Sequence, residues 1–271
     1  MRTQKLLPLL LLAVSSTSWA AGRHNPLEGQ PAIHNRLELR RLRFEIAPEF
    51  VISTNQDYKH AFGIGANLQF HILSWLAAGF EGAYLFNANT GLEDRVRGAL
   101  TAAQNSPGGL TFGQPTPQQH DQRILGANAL ISVYVTVTPI SGKFSLFSAG
   151  FAYYDFYGSV GVGMMNFTQK CCAGGEDPAG TSDPANPNTE DPRIFSGIKV
   201  GGMFGLGAHL YFTDWFGMQI EFRDFFLKAN PGGGDVNGDR HLTPADETPQ
   251  NNLFFGLGFS FLLPPKAKIV P

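Results

Sequence analysis

The feature that most constrains this chain is a strict two-residue alternation that puts charge on the polar face. In Trp215–Leu227 the even positions Phe216, Met218, Ile220, Phe222 and Phe226 are apolar, interrupted only by Asp224. The odd positions carry Gly217, Gln219, Glu221 and Arg223, with Phe225 near the end. A period of two places the sets on opposite faces of an extended strand. A soluble sandwich would turn the polar face to water. A membrane barrel turns it into the lumen and gives the apolar face to lipid.

The same pattern recurs in seven other segments, spanning roughly residues 39–53, 59–72, 75–86, 123–138, 143–167, 193–212 and 252–263. Pro48 falls inside the first and removes a ladder donor, which predicts a bulge or a local break. The fourth sets Leu125, Ile131, Val133, Val135 and Val137 against Asn128, Ser132, Tyr134 and Thr136. Pro139–Gly142 reads as the turn after it. The fifth is too long for one simple strand, so its start is expected partly outside the bilayer. Connections sort by length: short after the second, fourth and sixth segments, long at 87–122, 168–192 and 228–251. A short helix near Glu93–Ala103 is expected in the first long loop. An even strand number with short turns on one rim and long loops on the other matches a bacterial outer-membrane barrel. The expected fold is therefore all-β, an eight-stranded antiparallel up-and-down transmembrane β-barrel.

Composition agrees. Charged residues make up only 15% of the chain, against 32 Gly and 23 Phe, as suits short strands in a barrel. No mature segment offers the roughly 20 consecutive apolar residues of a membrane helix. The balance of 20 basic and 22 acidic residues suggests no nucleic-acid partner. Arg2 and Lys5, the apolar run Leu6–Val14 and the small-residue end Ser18-Trp19-Ala20 form a secretory signal plan. The expected organisation is a signal peptide over 1–20, a periplasmic lead-in over 21–38, the barrel over 39–263 and a periplasmic tail over 264–271. The membrane lipid and the barrel-assembly machinery are the expected partners, with other envelope proteins besides.

Under this assignment Arg43, Glu45, Glu49, Asn67, Gln69, His71, Glu81, Asn128, Asp155, Lys199, His209, Gln219, Glu221 and Arg223 point inward. Both signs are present, so ion pairs can form a packed network around Arg43, Glu45, Glu81, Asp155, Lys199, Glu221 and Arg223. Eight strands leave room for side chains and little more. A narrow ion path is the alternative and would need gaps in that network.

Several short pieces carry a family resemblance: Asn35-Arg-Leu-Glu-Leu39, Arg43-Phe-Glu-Ile-Ala-Pro48, Gly63-Ile-Gly-Ala-Asn-Leu-Gln-Phe-His71 with Trp75, Tyr211-Phe-Thr-Asp-Trp215 and Glu221-Phe-Arg-Asp224. With them most of the mature chain resembles the outer-membrane β-barrel domain family common in myxobacteria and their relatives. The resemblance implies an eight-stranded outer-membrane barrel, attached in some members to surface or gliding machinery, and no catalytic residues. One departure is that the aromatic end signal, Phe259-Ser-Phe261, is followed by Leu262–Pro271, so the tail is expected to hang free.

The last long loop holds the sharpest chemical motif. Asp235, Asn237, Asp239, Thr243 and Asp246 bear oxygen at positions one, three, five, nine and twelve, and the His241 carbonyl falls at seven. This is the spacing of a calcium-binding loop. Arg240 stands where such loops have Gly for the sharp turn, and a polar surface loop is the competing reading. Cys171 and Cys172 are adjacent, so a vicinal or intermolecular disulfide is open to them in an oxidising compartment. His120 with Asp121, or Asp239 with His241, is no more than a pair of solvated loop residues. The functional expectation is a non-enzymatic barrel displaying long loops, one of them binding Ca2+. Its rivals are a narrow channel and a barrel subunit of an envelope-spanning motility or transport complex.

Overall fold

The computed structural model describes residues 36–38, 40–110, 115–146, 150–169, 195–238, 243–265 and 268–270. The expected signal peptide, most of the lead-in, Asp239, His241, Cys171 and Cys172 lie outside the described residues. Leu37–Val270 form one compact unit.

Two short strands, β1 (Arg36–Glu38) and β10 (Lys268–Val270), pair with each other in a sheet of their own. Between them run the barrel strands β2 (Arg43–Ser53), β3 (Lys59–His71), β4 (Leu76–Asn89), β5 (Leu125–Leu146), β6 (Gly150–Gln169), β7 (Gly197–Tyr211), β8 (Phe216–Ala229) and β9 (Thr248–Leu263). They close in sequence order into an eight-stranded barrel, with every neighbouring pair antiparallel. The tail therefore does not hang free: its end is paired with β1.

The register fixes the shape. A walk across paired residues from Phe44 passes Phe70, Ala78, Val135, Val160, Phe204, Asp224 and Leu253, and returns to β2 at Thr54, ten residues above its start. That offset over eight strands corresponds to a tilt of about 40° and a backbone cylinder about 16 Å across. Side chains from facing walls meet across such a width, so the interior is filled rather than hollow.

Two departures from simple alternation have local causes. The β5–β6 register shifts between Ala127 and Ala129, so Asn128 is an extra residue. A bulge flips the phase of everything beyond it, and Leu125 is buried on the lumen side instead of facing out. A second shift lies between Val137 and Ile140. It accommodates Pro139, which has no N–H to give the ladder. Pro139–Gly142 is thus not the turn: β5 continues through it to Leu146, and β6 starts at Gly150 rather than Lys143. The β4 ladder ends at Val137 and the β7 ladder at Tyr153, so this hairpin projects past the short-turn rim. Pro48 gives the milder outcome. Pairing with β9 lapses at Ala47 and Pro48 and resumes in the same register at Glu49, a break without a bulge.

The long-loop rim is wired to the barrel. Helix α1 (Gly91–Gln104) covers the expected helix and is capped by the Thr90 hydroxyl, which accepts from the Glu93 amide. A second helix, α2 (Pro117–Arg123), starts from a capping box between Thr116 and Gln119, and its last residue is Arg123, expected in the strand. His120 Nε2 lies 3.0 Å from Glu93 Oε2, Thr90 N donates to the Tyr58 carbonyl at 2.9 Å, and Lys59 Nζ donates to the Ile124 carbonyl at 3.1 Å.

Candidate functional site

The lumen is where the sequence placed its chemistry, and it is built in tiers. On each strand, alternate residues step inward, so neighbours two apart occupy successive levels. At the short-turn end, β2 contributes Glu45, β3 His71, β6 Asp155, β7 His209 and Tyr211, and β9 Ser260. Glu45 Oε2 stands 2.7 Å from His71 Nε2 and accepts from the Tyr211 hydroxyl at 3.2 Å, while Ser260 donates to Oε1. His209 bridges two carboxylates, Nδ1 at 2.8 Å from Asp155 and Nε2 at 3.2 Å from Glu45. Arg40, from the segment before β2, places Nη1 3.1 Å from Asp155 Oδ2. Arg43 donates to the Leu262 carbonyl at 3.2 Å.

Two levels up, one guanidinium meets three carboxylates. Arg223 Nη1 and Nη2 each lie 3.0 Å from Glu49, in a bidentate pair, and Nη2 lies 2.8 Å from Glu221. Glu81 pairs with Nη1 as well. Further donors saturate the carboxylates: Gln219 to Glu49 at 3.1 Å, Ser132 to Glu81 at 3.0 Å, and the Tyr157 hydroxyl to Glu221 at 2.8 Å. These groups are almost fully buried, Arg223 at 3% and Glu81 at 1% exposure. Charges in such surroundings need partners with good geometry, and a fork of donors supplies it. The two clusters touch through Tyr157, whose ring stacks on His209 with centroids 4.5 Å apart.

Above the Arg223 cluster the interior turns apolar. Val51, Leu85, Leu130, Met165, Phe225 and Phe254, among others, form one buried cluster at the loop end of the lumen. The sequence reading missed this plug because its members come from inward positions near the strand ends, where polar residues were expected. Phe225 on the charged face of β8 was the available signal. Glycines make room below it. A methyl at Gly79 would overlap the Tyr134 ring, and one at Gly207 would overlap the Tyr157 ring. These two glycines thus leave room for the rings inside the narrow barrel.

Of the predicted network, Arg43, Glu45, Glu81, Asp155, Glu221 and Arg223 are buried inside as expected. Lys199 is the correction. It sits half-buried at the loop rim and pairs with Glu247 rather than with a lumen carboxylate, because its level on β7 lies above the polar tiers. Asn128 is likewise only partly buried, at the bulge. Arg40, outside the predicted set, proves to belong to it.

The predicted calcium loop is described only in part. Asp235 accepts from the Gly238 amide at 2.6 Å. Asp246 is buried, and both its oxygens are engaged: Oδ1 by the amides of Val236 and Asn237 at 3.0 and 3.1 Å, Oδ2 by the amide of Thr243 at 2.9 Å. The Thr243 amide, then those of Asn237 and Val236, hold the Asp246 carboxyl below the ordinary carboxylate range. Among the described residues no three His, Cys, Asp or Glu side chains are grouped to hold a metal ion.

The outer surface is the reverse of the interior. Ile64, Val160 and Ile198 are 66%, 62% and 67% exposed, and the outward positions between them are mostly Phe, Leu, Ile and Val. Trp75 and Trp215 are exposed at the short-turn rim, the latter in ring contact with Phe216 and Phe261.

No family model matches the chain, and no curated protein matches it. Among solved structures it is similar to the N-terminal β-barrel domain of Pseudomonas aeruginosa OprF, at 10% identity and TM-score 0.40, covering 82% of this chain and 98% of that one. It is also similar to Ail, the attachment invasion locus protein of Yersinia pestis, at 10% identity and TM-score 0.34, covering 82% and 97%. OprG from Pseudomonas aeruginosa is similar at 10% identity and TM-score 0.34, covering 84% and 99%.

Proposed function

We propose that this protein is a non-enzymatic outer-membrane β-barrel with a closed polar lumen, which presents its long loops at the cell surface for contact with a partner or for envelope integrity. The observation that carries this reading is its inverted polarity. Isoleucine, valine and phenylalanine lie exposed around a cylinder whose interior holds Glu45, Glu49, Glu81, Asp155, Glu221 and Arg223 at 5% exposure or less. A continuous apolar belt of this extent is untenable in water and suits a bilayer, where a closed barrel satisfies every backbone group of the wall. Trp75 and Trp215 fit the lower interface, and the short turns then face the periplasm with the long loops outside.

The channel alternative is disfavoured by the interior. The Arg223 cluster fills the middle of the lumen and the apolar plug stands above it, so an ion would have to displace both. Calcium remains part of the proposal for the last loop, with Asp235, Asn237, Asp239, His241, Thr243 and Asp246 as its candidate ligands, and Asp246 already organises the loop by accepting from the amides of Val236, Asn237 and Thr243. Partners in the envelope and the assembly machinery belong to the same reading.

The test is gel mobility of the detergent-folded protein before and after boiling, followed by conductance in planar bilayers. A band that shifts on boiling, with no conductance steps, is the expected result. A water-soluble, lipid-free protein with no shift would overturn the membrane reading, and regular conductance steps would overturn the closed lumen.

A further inference from the structure

The segment entering β2 does not simply lead into the barrel. Arg43 N donates to the Arg40 carbonyl at 3.2 Å, closing a turn in which Leu42 adopts a left-handed φ of 55°. A non-glycine residue takes that conformation at a cost, and here the turn folds Arg40 back under the wall. Arg40 is 5% exposed. Its Nη2 donates to the Ser74 carbonyl in the β3–β4 turn at 3.0 Å, and its Nη1 reaches Asp155 on β6 at 3.1 Å. In a ring of eight strands β6 lies four places from β2, directly opposite. Arg40 and Asp155 together therefore bridge opposite walls at the short-turn mouth of the lumen. Just beyond it, β1 is paired with β10, so the strap is tied to the other end of the chain.

Behind this brace lies a level of unsatisfied polar atoms. Gln69, one inward step above His71 on β3, is 2% exposed and has no partner for either amide atom. Thr136 Oγ1 and Gln219 Oε1, from β5 and β8, are also buried without a partner. Donors and acceptors occur together there, as groups that take water do.

We propose that the segment around Arg40 is a strap that closes the periplasmic mouth of the lumen and keeps water and small polar solutes from the buried polar level around Gln69. The Arg223 cluster and the apolar plug close the lumen above that level, so releasing the strap admits solute from one side without opening a pore. The inference rests on the membrane reading only for the name of the side. The closure itself is a property of the barrel.

The experiment places Gln69→Cys in a background with Cys171→Ser and Cys172→Ser, and measures its reaction with a small cationic methanethiosulfonate in the detergent-folded full chain. The parent should react slowly, Arg40→Ala should speed the reaction on the order of tenfold, the scale of losing a charge-assisted contact, and Arg40→Lys should restore slow labelling. Asp155→Asn, which removes the anchor and keeps the arm, should also speed it, and serves if Arg40→Ala fails to give a heat-shifting band. Val51→Cys in the apolar plug should stay unreactive in every variant, which separates an opened mouth from a loosened barrel. Rapid labelling of Gln69→Cys in the parent, unchanged labelling on loss of Arg40 or of its anchor, or equal labelling at Val51→Cys would overturn the strap. A heat-shifting band alongside any of these would leave the barrel reading standing.

Discussion

Replacing Arg223 with Met should be far more damaging than neutralising any one of its three carboxylate partners. Arg223 is the single guanidinium serving Glu49, Glu81 and Glu221, at 3% exposure. Removing it leaves three buried carboxylates facing one another without a cation, and breaking a buried pair in this way costs about 3–5 kcal/mol. Glu81→Gln has the opposite balance. The amide oxygen can still accept from Ser132, Arg223 keeps its bidentate pair with Glu49 and its contact with Glu221, and one of three crowded carboxyl groups is gone. Its cost should be below about 1 kcal/mol. The assay is urea unfolding in lipid vesicles, followed by the loss of the fast-migrating folded band. Equal destabilisation by Arg223→Met and Glu81→Gln would refute the three-to-one hub, because it would mean each carboxylate is individually needed to hold the arginine.

Further tests address other levels of the structure. Gly79→Ala and Gly207→Ala put a methyl into the rings of Tyr134 and Tyr157, so each should cost about 1–3 kcal/mol; in the same urea titration, Gly82→Ala on the outer face should change the midpoint little. Asp224 faces outward between Phe222 and Phe226 with Oδ1 buried and unpartnered, and Asp224→Leu should raise vesicle stability by on the order of 1 kcal/mol; a loss would show that the carboxylate has a partner. Asp246→Ala should expose the last loop to protease while leaving the boiling shift intact. Because the folded Asp246 carboxyl lies below its unfolded value, its contribution is complete above the unfolded value and disappears as the pH falls through the folded one. Protease resistance of that loop should therefore be flat through neutral pH and fall only in acid, a profile that loss near pH 7 would contradict.

Much of the wall could be read from residue order alone. A period of two, repeated eight times with turns sorted by length, determines strand number, antiparallel closure and which side chains face inward, because successive residues of a strand must point to opposite faces. Charge on one face and phenylalanine on the other also set a polar interior against an apolar outer surface. The pattern could not say where one strand stops and the next begins: Pro139 looked like a turn until pairing with β6 carried the chain through it. Asn128 shows the related limit, since a single extra residue inverts the faces beyond it without altering composition.

What the tertiary structure alone decided is which inward groups meet. Glu49 and Glu81 are far from Arg223 in the chain and reach it only because the ten-residue closure offset brings their strands to one level, whereas Glu221 stands two residues away on the same strand. The same offset carries Lys199 up to the rim and Glu247, and leaves Val51, Met165 and Phe254 together as a plug. Arg40 had no periodic pattern to announce it, for it stands before the first barrel strand; its partner Asp155 is set by the far wall. Alternation is local and survives in sequence, whereas register is a property of the closed ring.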